Sequence, residues 1–253
     1  MRVLILGNSG LIGQDFFLYN RIHHEFELLK IGTEKRWPDE DFKAAIIDAK
    51  PDAIINAISS SDYDDSEKMN SVHYELPVWL AENMKCKLIL FSSDVVGQLE
   101  RGIQVDPKFS SYAEAKLKME KQLASYPLVK IFRTSIVGLA KTPSNLLYKF
   151  FWNNPSNTIN AFANAYWSGI TTLQLFRVIT TSLKEKWEHG IIKAGSDRIS
   201  MFDFLYLVNS LFGFEKKINK QLLPEENDRS FASDIRLPEL SVQLVEMRNL
   251  VNN

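Results

Sequence analysis

One cysteine, Cys86, occurs in 253 residues, so the chain cannot form an internal disulfide and a reducing compartment is expected. Cys86 enters the apolar run "CKLILFSS" and reads as a small buried hydrophobe. Histidine is scarce as well. His23, His24, His73 and His189 are the whole set, none is spaced from a second ligand as zinc requires, and no metal is expected. Neither sign of charge dominates: 30 basic and 31 acidic residues leave a formal charge of −1, which excludes a bulk pull toward nucleic acid or an anionic membrane. No apolar run approaches the roughly 18 residues needed to cross a bilayer. The amino terminus is hydrophobic only through "VLIL", which does not read as a signal peptide, and a cytoplasmic protein is expected. The acidic stretch "SSSDYDDSEK" lacks the glycine turn of a calcium loop and reads as the entrance to a helix.

What is present is alternation. "RVLIL", "FELLKIG", "DAIINAIS", "KLILFSS" and "LVKIFRTSI" are short, nearly all-apolar runs that read as buried strands. Between them lie helical patterns: "LIGQDFFLYNRI", "DEDFKAAIIDAK", "SEKMNSVHYELPVWLAENM" and "SYAEAKLKMEKQLASY". Buried strands joined by helices imply an α/β fold, a doubly wound parallel sheet of the Rossmann type whose ligands sit beyond the carboxyl ends of the strands. Residues 1–140 are expected to form this dinucleotide-binding unit. The pattern loosens beyond, with helices near 172–187 and 201–212, and residues 141–253 are expected mostly to cap the sheet's carboxyl edge, some segments returning to the first unit. No internal repeat is present.

The stretch "MRVLILGNSGLIGQDFF" places Gly7, Gly10 and Gly13 where the first strand hands over to a helix. A plain tight turn would use such residues. So would a turn approached by a phosphate, drawn by the free N–H groups and positive dipole end of the helix. The flanking strand and helix favour a dinucleotide pyrophosphate, with Gly7, Ser9, Gly10, Leu11, Ile12 and Gly13 as its contacts. After the second strand, "KIGTEKRW" supplies Thr33, Lys35 and Arg36, a hydroxyl and two cations suited to a 2′-phosphate. NADP(H) is therefore favoured, although Glu34 works the other way and leaves NAD(H) open.

Tyr112 and Lys116 lie four apart on the predicted helix "SYAEAKLKMEKQLASY", so they share a face. An ammonium near a phenol favours tyrosinate and is expected to lower the tyrosine pKa toward the range of a general acid. Ser93 ends the strand upstream, where its hydroxyl can hold a carbonyl against Tyr112.

Taken in order, Gly-x-x-Gly-x-x-Gly, "NAIS", "SSD" and Tyr-x-x-x-Lys resemble the extended short-chain dehydrogenase/reductases, and within them the dTDP-4-dehydrorhamnose reductases. Asn56-Ala57-Ile58 resembles the subfamily's Asn-Ala-Ala, Ser92-Ser93-Asp94-Val95-Val96 its Ser-Thr-Asp-x-Val, and Arg133-Thr134-Ser135 its Arg-x-Ser. Asn70 resembles a helix asparagine common in such enzymes, and "YWSGITT" a turn in their second half. Ala113 stands where the subfamily usually has glycine, and Ile136 where it often has tryptophan.

The resemblance implies a reductase acting on the keto group of a nucleotide-activated sugar. Tyr112 would donate the proton, Lys116 would hold the nicotinamide ribose, Ser93 would orient the carbonyl, and Asn56, Ala57 and Ile58 would line the cofactor. Asp94, Val95 and Ser135 become substrate candidates. Phe150, Phe151, Trp152, Tyr166 and Trp167 read first as core or interface, with Trp152 and Asn145 as further substrate candidates. A nucleotide-sugar epimerase or dehydratase with tightly held NAD, and a regulatory subunit that only binds dinucleotide, are the alternatives. Partners are a small-molecule nucleotide sugar, no nucleic acid and no membrane, with a homodimer left open.

Overall fold

Successive residues of β1 (Arg2–Leu6) face opposite layers: Val3 and Ile5 enter one hydrophobic cluster, Leu4 and Leu6 the other, and all four are buried. A strand buried on both faces requires helices on both, and the chain supplies them in alternation. The structure, a computed structural model, describes residues 1–32 and 34–250. After β1 come α1 (Leu11–His23), β2 (Glu27–Lys30), α2 (Glu40–Ala49) and β3 (Ala53–Asn56). Next, α3 (Ser66–Asn70) continues through a π-helical turn, Ser71–Glu75, into α4 (Leu76–Asn83) and then β4 (Lys87–Ser93). Then follow α5 (Asp94–Glu100), α6 (Ser110–Leu123) and β5 (Val129–Thr134).

Beyond residue 140 the strands shorten. After β6 (Ile136–Val137) the chain forms β7 (Thr158–Phe162), β8 (Ala165–Trp167), β9 (Ile170–Thr171), α7 (Thr172–Lys184) and β10 (Gly190–Lys193). It ends with β11 (Ile199–Ser200), α8 (Met201–Phe212), β12 (Lys217–Gln221), β13 (Asn227–Asp228) and α9 (Leu240–Asn249). Six strands make one parallel sheet in the order β10-β5-β4-β3-β1-β2, and the rest pair as β11-β8-β13, β12-β7 and β6-β9. With β2 on one side of β1 and β3 on the other, the winding reverses at β1, and a crevice opens beyond the carboxyl ends there. Among the described residues no helix is long and apolar enough to cross a membrane.

Two features refine the sequence reading. The residues after Ser93, for which the sequence pattern gives no element before Tyr112, begin with the helix α5, which Ser93 caps. The sheet gains its last strand from β10, whose four residues pair in register with Lys130–Arg133 of β5.

A buried polar knot ties α1 to the later chain. Asp15, 1 % exposed, accepts hydrogen bonds from Thr172 Oγ1 at 2.5 Å and from the Leu139 N–H at 2.8 Å, and Tyr19 meets Thr172 at 2.8 Å. Burial pushes the Asp15 carboxyl pKa up against the hydrogen bonds from Thr172, Leu139, Ala140 and Tyr19.

Candidate active site

The three glycines of the first turn have different reasons to be glycine. Gly7 sits at φ +81°, and a Cβ there would stand 2.6 Å from the Ala57 carbonyl, so the turn packs directly on the end of β3. A Cβ on Gly13 would overlap the Gly7 carbonyl oxygen, which lets α1 lie tight against the turn. Gly10 differs. A Cβ there would meet only Gly7 O at 3.4 Å and Ala57 O at 4.0 Å, ordinary contacts, so nothing in the protein demands glycine. Gly10 caps α1 with extended backbone and no side-chain bond, leaving the first N–H groups of a 13-residue helix to an anion. Leu11 is buried and Ile12 packs on the core, so these residues offer only backbone to a ligand, while Ser9 is exposed at the rim.

Asn56 ends β3 and turns its Oδ1 to the Ile58 N–H at 3.2 Å, shaping the neighbouring wall that Ala57 and the half-buried Ile58 continue. Lys35 and Arg36 are exposed beyond β2, whereas the Glu34 carboxylate folds back against Gly32. Thr33 lies outside the described residues.

Ser93, at the carboxyl end of β4, donates from Oγ to Asp94 Oδ1 at 2.9 Å and accepts from the Val95 N–H at 3.4 Å. Tyr112 and Lys116 stand one turn apart on α6, the ammonium 5.8 Å from the phenol ring centre. Lys116 Nζ donates to the Phe91 carbonyl at 2.6 Å, and burial brings its pKa down to about 8, opposed by Glu120. Tyr112 departs from expectation: burial pushes its phenol well above the ordinary value, against Ser93 hydrogen bonding and the Arg229 charge. The Lys116 ammonium, turned to Phe91 and itself partly desolvated, does not lower it. A phenol that stays protonated near neutrality is equipped to give a proton rather than take one.

Three neighbours of Tyr112 were not foreseen. The half-buried Asn70 donates from its amide to Glu75 Oε1 at 2.7 Å. One turn later, His73 faces Tyr112 edge to face, 4.8 Å between ring centres at 88°, in the π-helical turn. His73 is 1 % exposed, its Nε2 accepts from the Ser60 N–H at 3.5 Å, and its Nδ1 has no partner among the described residues. Burial, aided by the Lys116 charge, holds its pKa at about 2, so the imidazole is neutral. Tyr63, in the β3–α3 loop, stands edge to face with Tyr112 at 5.8 Å. Arg229, just beyond β13, donates from Nη2 to Asp94 Oδ1 at 2.6 Å, and its own N–H bonds the Tyr166 carbonyl at 3.1 Å. The signal for His73 was its register with buried Met69, Leu76 and Leu80; nothing local marks Arg229.

The substrate candidates separate. Asp94 is buried beside Ser93 and Tyr112, and the Ser135 hydroxyl accepts the Trp167 indole N–H at 2.7 Å. The Val95 side chain is buried in a small cluster with Val105 and Ala113 and does not face a ligand. Asn145 is corrected outright: fully buried, its amide donates to the Gly138 and Ala140 carbonyls at 2.7 and 2.8 Å and holds its own loop. Trp152 is half-buried and packs edge-on at 6.2 Å against Phe214, which stacks on Phe151 at 4.5 Å. Large aromatics at these positions fill a core.

No protein-family model matches the chain, and no curated protein matches it in sequence. Solved structures do resemble its fold. A dTDP-4-dehydrorhamnose reductase from Clostridium acetobutylicum is 18 % identical over 100 % of both chains, with a TM-score of 0.79. The dTDP-4-dehydrorhamnose reductase of Bacillus anthracis, solved in complex with NADP, is 16 % identical over 97 % of this chain and 98 % of its own, with a TM-score of 0.81. The dTDP-glucose 4,6-dehydratase of the same organism, in complex with NAD, is 15 % identical over 100 % and 96 %, with a TM-score of 0.74. At such identities the likeness establishes the fold, a doubly wound α/β sheet matched along the full chain.

Proposed function

We propose that the protein is an NADPH-dependent reductase acting on the keto group of a nucleotide-activated deoxysugar. The observation that carries this reading is the meeting of Ser93, Tyr112 and Lys116 at the sheet's carboxyl edge, on the same edge as a glycine turn whose Gly10 has room for a phosphate. The backbone N–H groups at the start of α1 would hold the pyrophosphate, Lys116 the nicotinamide ribose, and Lys35 and Arg36 a 2′-phosphate. A bound nicotinamide supplies the hydride. This chain's own part is the proton: the protonated Tyr112 phenol gives it to the substrate oxygen, while Ser93 turns its hydroxyl from Asp94 to the carbonyl and fixes the distance.

That solved structures of the same fold include dTDP-4-dehydrorhamnose reductases, one in complex with NADP, supports the assignment. The proposal includes action in the cytoplasm, in line with a lone cysteine whose thiol burial pushes to about 11, and as a homodimer, which light scattering would report. Tyr112→Phe tests the chemistry: it should bind NADPH as the wild type does and lose about 10²–10⁴-fold in turnover of a dTDP-4-keto-6-deoxyhexose. Full activity in that variant refutes the assignment.

The Glu34 carboxylate against Gly32 favours a second reading, an NAD-dependent sugar-nucleotide epimerase or dehydratase, because an acid at the end of β2 suits an unphosphorylated ribose. Protein that purifies with NAD bound and converts a nucleotide sugar without added NADPH would establish it.

A further inference from the structure

Arg133, next to the last residue of β5, pairs in register with Ser92, the neighbour of Ser93 on β4. Its guanidinium faces two carboxylates at once. Nε and Nη2 donate to the two oxygens of Glu120 at 3.0 and 2.5 Å, and Nη1 and Nη2 to those of Glu100 at 2.5 and 2.8 Å. Glu120 stands one turn beyond Lys116 on α6, and Glu100 closes α5, the helix that Ser93 caps. A planar fork filled on both edges fixes the distance and the angle of its partners together. We infer that Arg133 is a positioning residue for the reduction: by gripping Glu100 and Glu120 it holds α5 against α6 and so sets Ser93 against Tyr112. The inference rests on the reductase reading above.

Stability does not account for the cluster. The Arg133 and Glu120 side chains are 6 % and 2 % exposed, and buried ion pairs add little beyond what apolar packing would give. Their use is to select one arrangement among several. The helix α5 needs such a restraint, because seven residues with Gly97 among them give a helix little stability of its own. The apolar cluster it shares with α6 is small, with Val95, Val105 and Ala113 as its buried members. Gln98 and Arg101 bond the Asn227 side chain and the Asp228 carbonyl at 3.1 and 2.8 Å, which ties α5 to β13 and not to α6. Both levers are short: Tyr112 lies two turns before Glu120, about 12 Å along the axis, and Asp94 about 9 Å before Glu100. A displacement at the Arg133 end is therefore passed on to the Ser93–Tyr112 pair.

The rival is an ion cluster that only stabilises the fold. Glu100 separates the two, because its side chain is 48 % exposed and Arg133 keeps Glu120 without it. In Glu100→Ala, kcat for a dTDP-4-keto-6-deoxyhexose should fall on the order of tenfold, with KM and NADPH affinity within about twofold of the wild type. Glu100→Gln keeps one acceptor oxygen and should lose only about threefold. In a Ser93→Ala background the Glu100→Ala change should cost less than about twofold, because the hydroxyl it positions is gone. An undiminished loss in that background, or an unchanged kcat in Glu100→Ala, overturns the inference. Crystal structures of the wild type and Glu100→Ala supply an arm free of turnover. Ser93 Oγ and Tyr112 Oη should stand at least about 0.5 Å farther apart in the variant; an unaltered separation overturns the inference. A wild type inactive on the keto sugar sinks the reductase reading instead, and the two crystals then decide the role of Arg133 alone.

Discussion

The His73 imidazole stands perpendicular to the Tyr112 ring, 4.8 Å between centres, and is held neutral by the burial that surrounds both. An edge-to-face pair of this kind fixes the orientation of the phenol. It does so at a cost, since Nδ1 is left without a partner.

Replacing His73 therefore separates orientation from stability. His73→Phe keeps a perpendicular ring and removes the orphan Nδ1, but it also takes the acceptor from the Ser60 N–H, so the two effects should offset to within roughly 1 kcal/mol, with turnover near that of the wild type. His73→Ala should lower kcat while leaving NADPH affinity unchanged. With a pKa of about 2, His73 contributes no limb to the pH–rate profile between pH 5 and 8, so the acidic limb of His73→Phe should overlay the wild type's.

Gly7, Gly10 and Gly13 should part company on substitution by alanine. Gly7→Ala and Gly13→Ala force a Cβ into backbone and should lower the melting temperature markedly, costing on the order of 2–4 kcal/mol. Gly10→Ala, which meets only ordinary contacts, should melt within about 1 kcal/mol of the wild type yet bind NADPH at least about tenfold more weakly. Calorimetric titration beside a thermal melt reads both.

Lys116 is a cation the fold disfavours. Its pKa, lowered by burial from 10.5 to about 8, means the folded state binds fewer protons than the unfolded state between those values. Stability should rise with pH across that window, and the penalty is fully present below pH 8. Lys116→Met should accordingly raise stability at pH 7 by roughly 1–3 kcal/mol, lose that pH slope, and abolish turnover. A variant no more stable than the wild type would show that the bond to Phe91 offsets the burial.

Thr172→Val tests the knot on α1. The change strips a donor from the buried Asp15 carboxylate and a partner from Tyr19, and at pH 7 should cost about 2–3 kcal/mol. Because the Asp15 pKa is raised in the folded state, its carboxyl favours folding at low pH and loses that contribution as pH rises through the raised value. The deficit of Thr172→Val should therefore shrink on acidification, once Asp15 carries a proton and no longer needs the hydroxyl. Melts at pH 4 and 7 compare the two states.

The central sheet was legible because strands buried on both faces are short unbroken apolar runs; "KLILFSS" is β4 residue for residue. Ser93, Tyr112 and Lys116 were legible because each is placed by its own strand end or helix face. The α5 helix was not, since seven residues containing Gly97 carry too little periodicity to show. His73 was readable from the 69–73–76–80 stripe of buried residues, whereas Asn70, singled out by resemblance, is half-buried one residue beyond Met69. Arg229 reaches the site through the pairing of β13 with β8, a contact some sixty residues apart in the chain that no local pattern announces. Asn145 and Trp152 looked functional by chemistry alone; their hydrogen bonds and ring contacts are internal.

The position of β10 has a consequence for how such a protein can be taken apart. The outermost strand of the main sheet is drawn from residues that the chain reaches only after building β7, β8, β9 and α7. A fragment ending near residue 140 would leave the flank of β5 bare, a row of unsatisfied peptide groups ready to recruit a stranger. Recombination that swaps the later chain for another would have to carry its own replacement for that strand, so the two halves are inherited together or not at all.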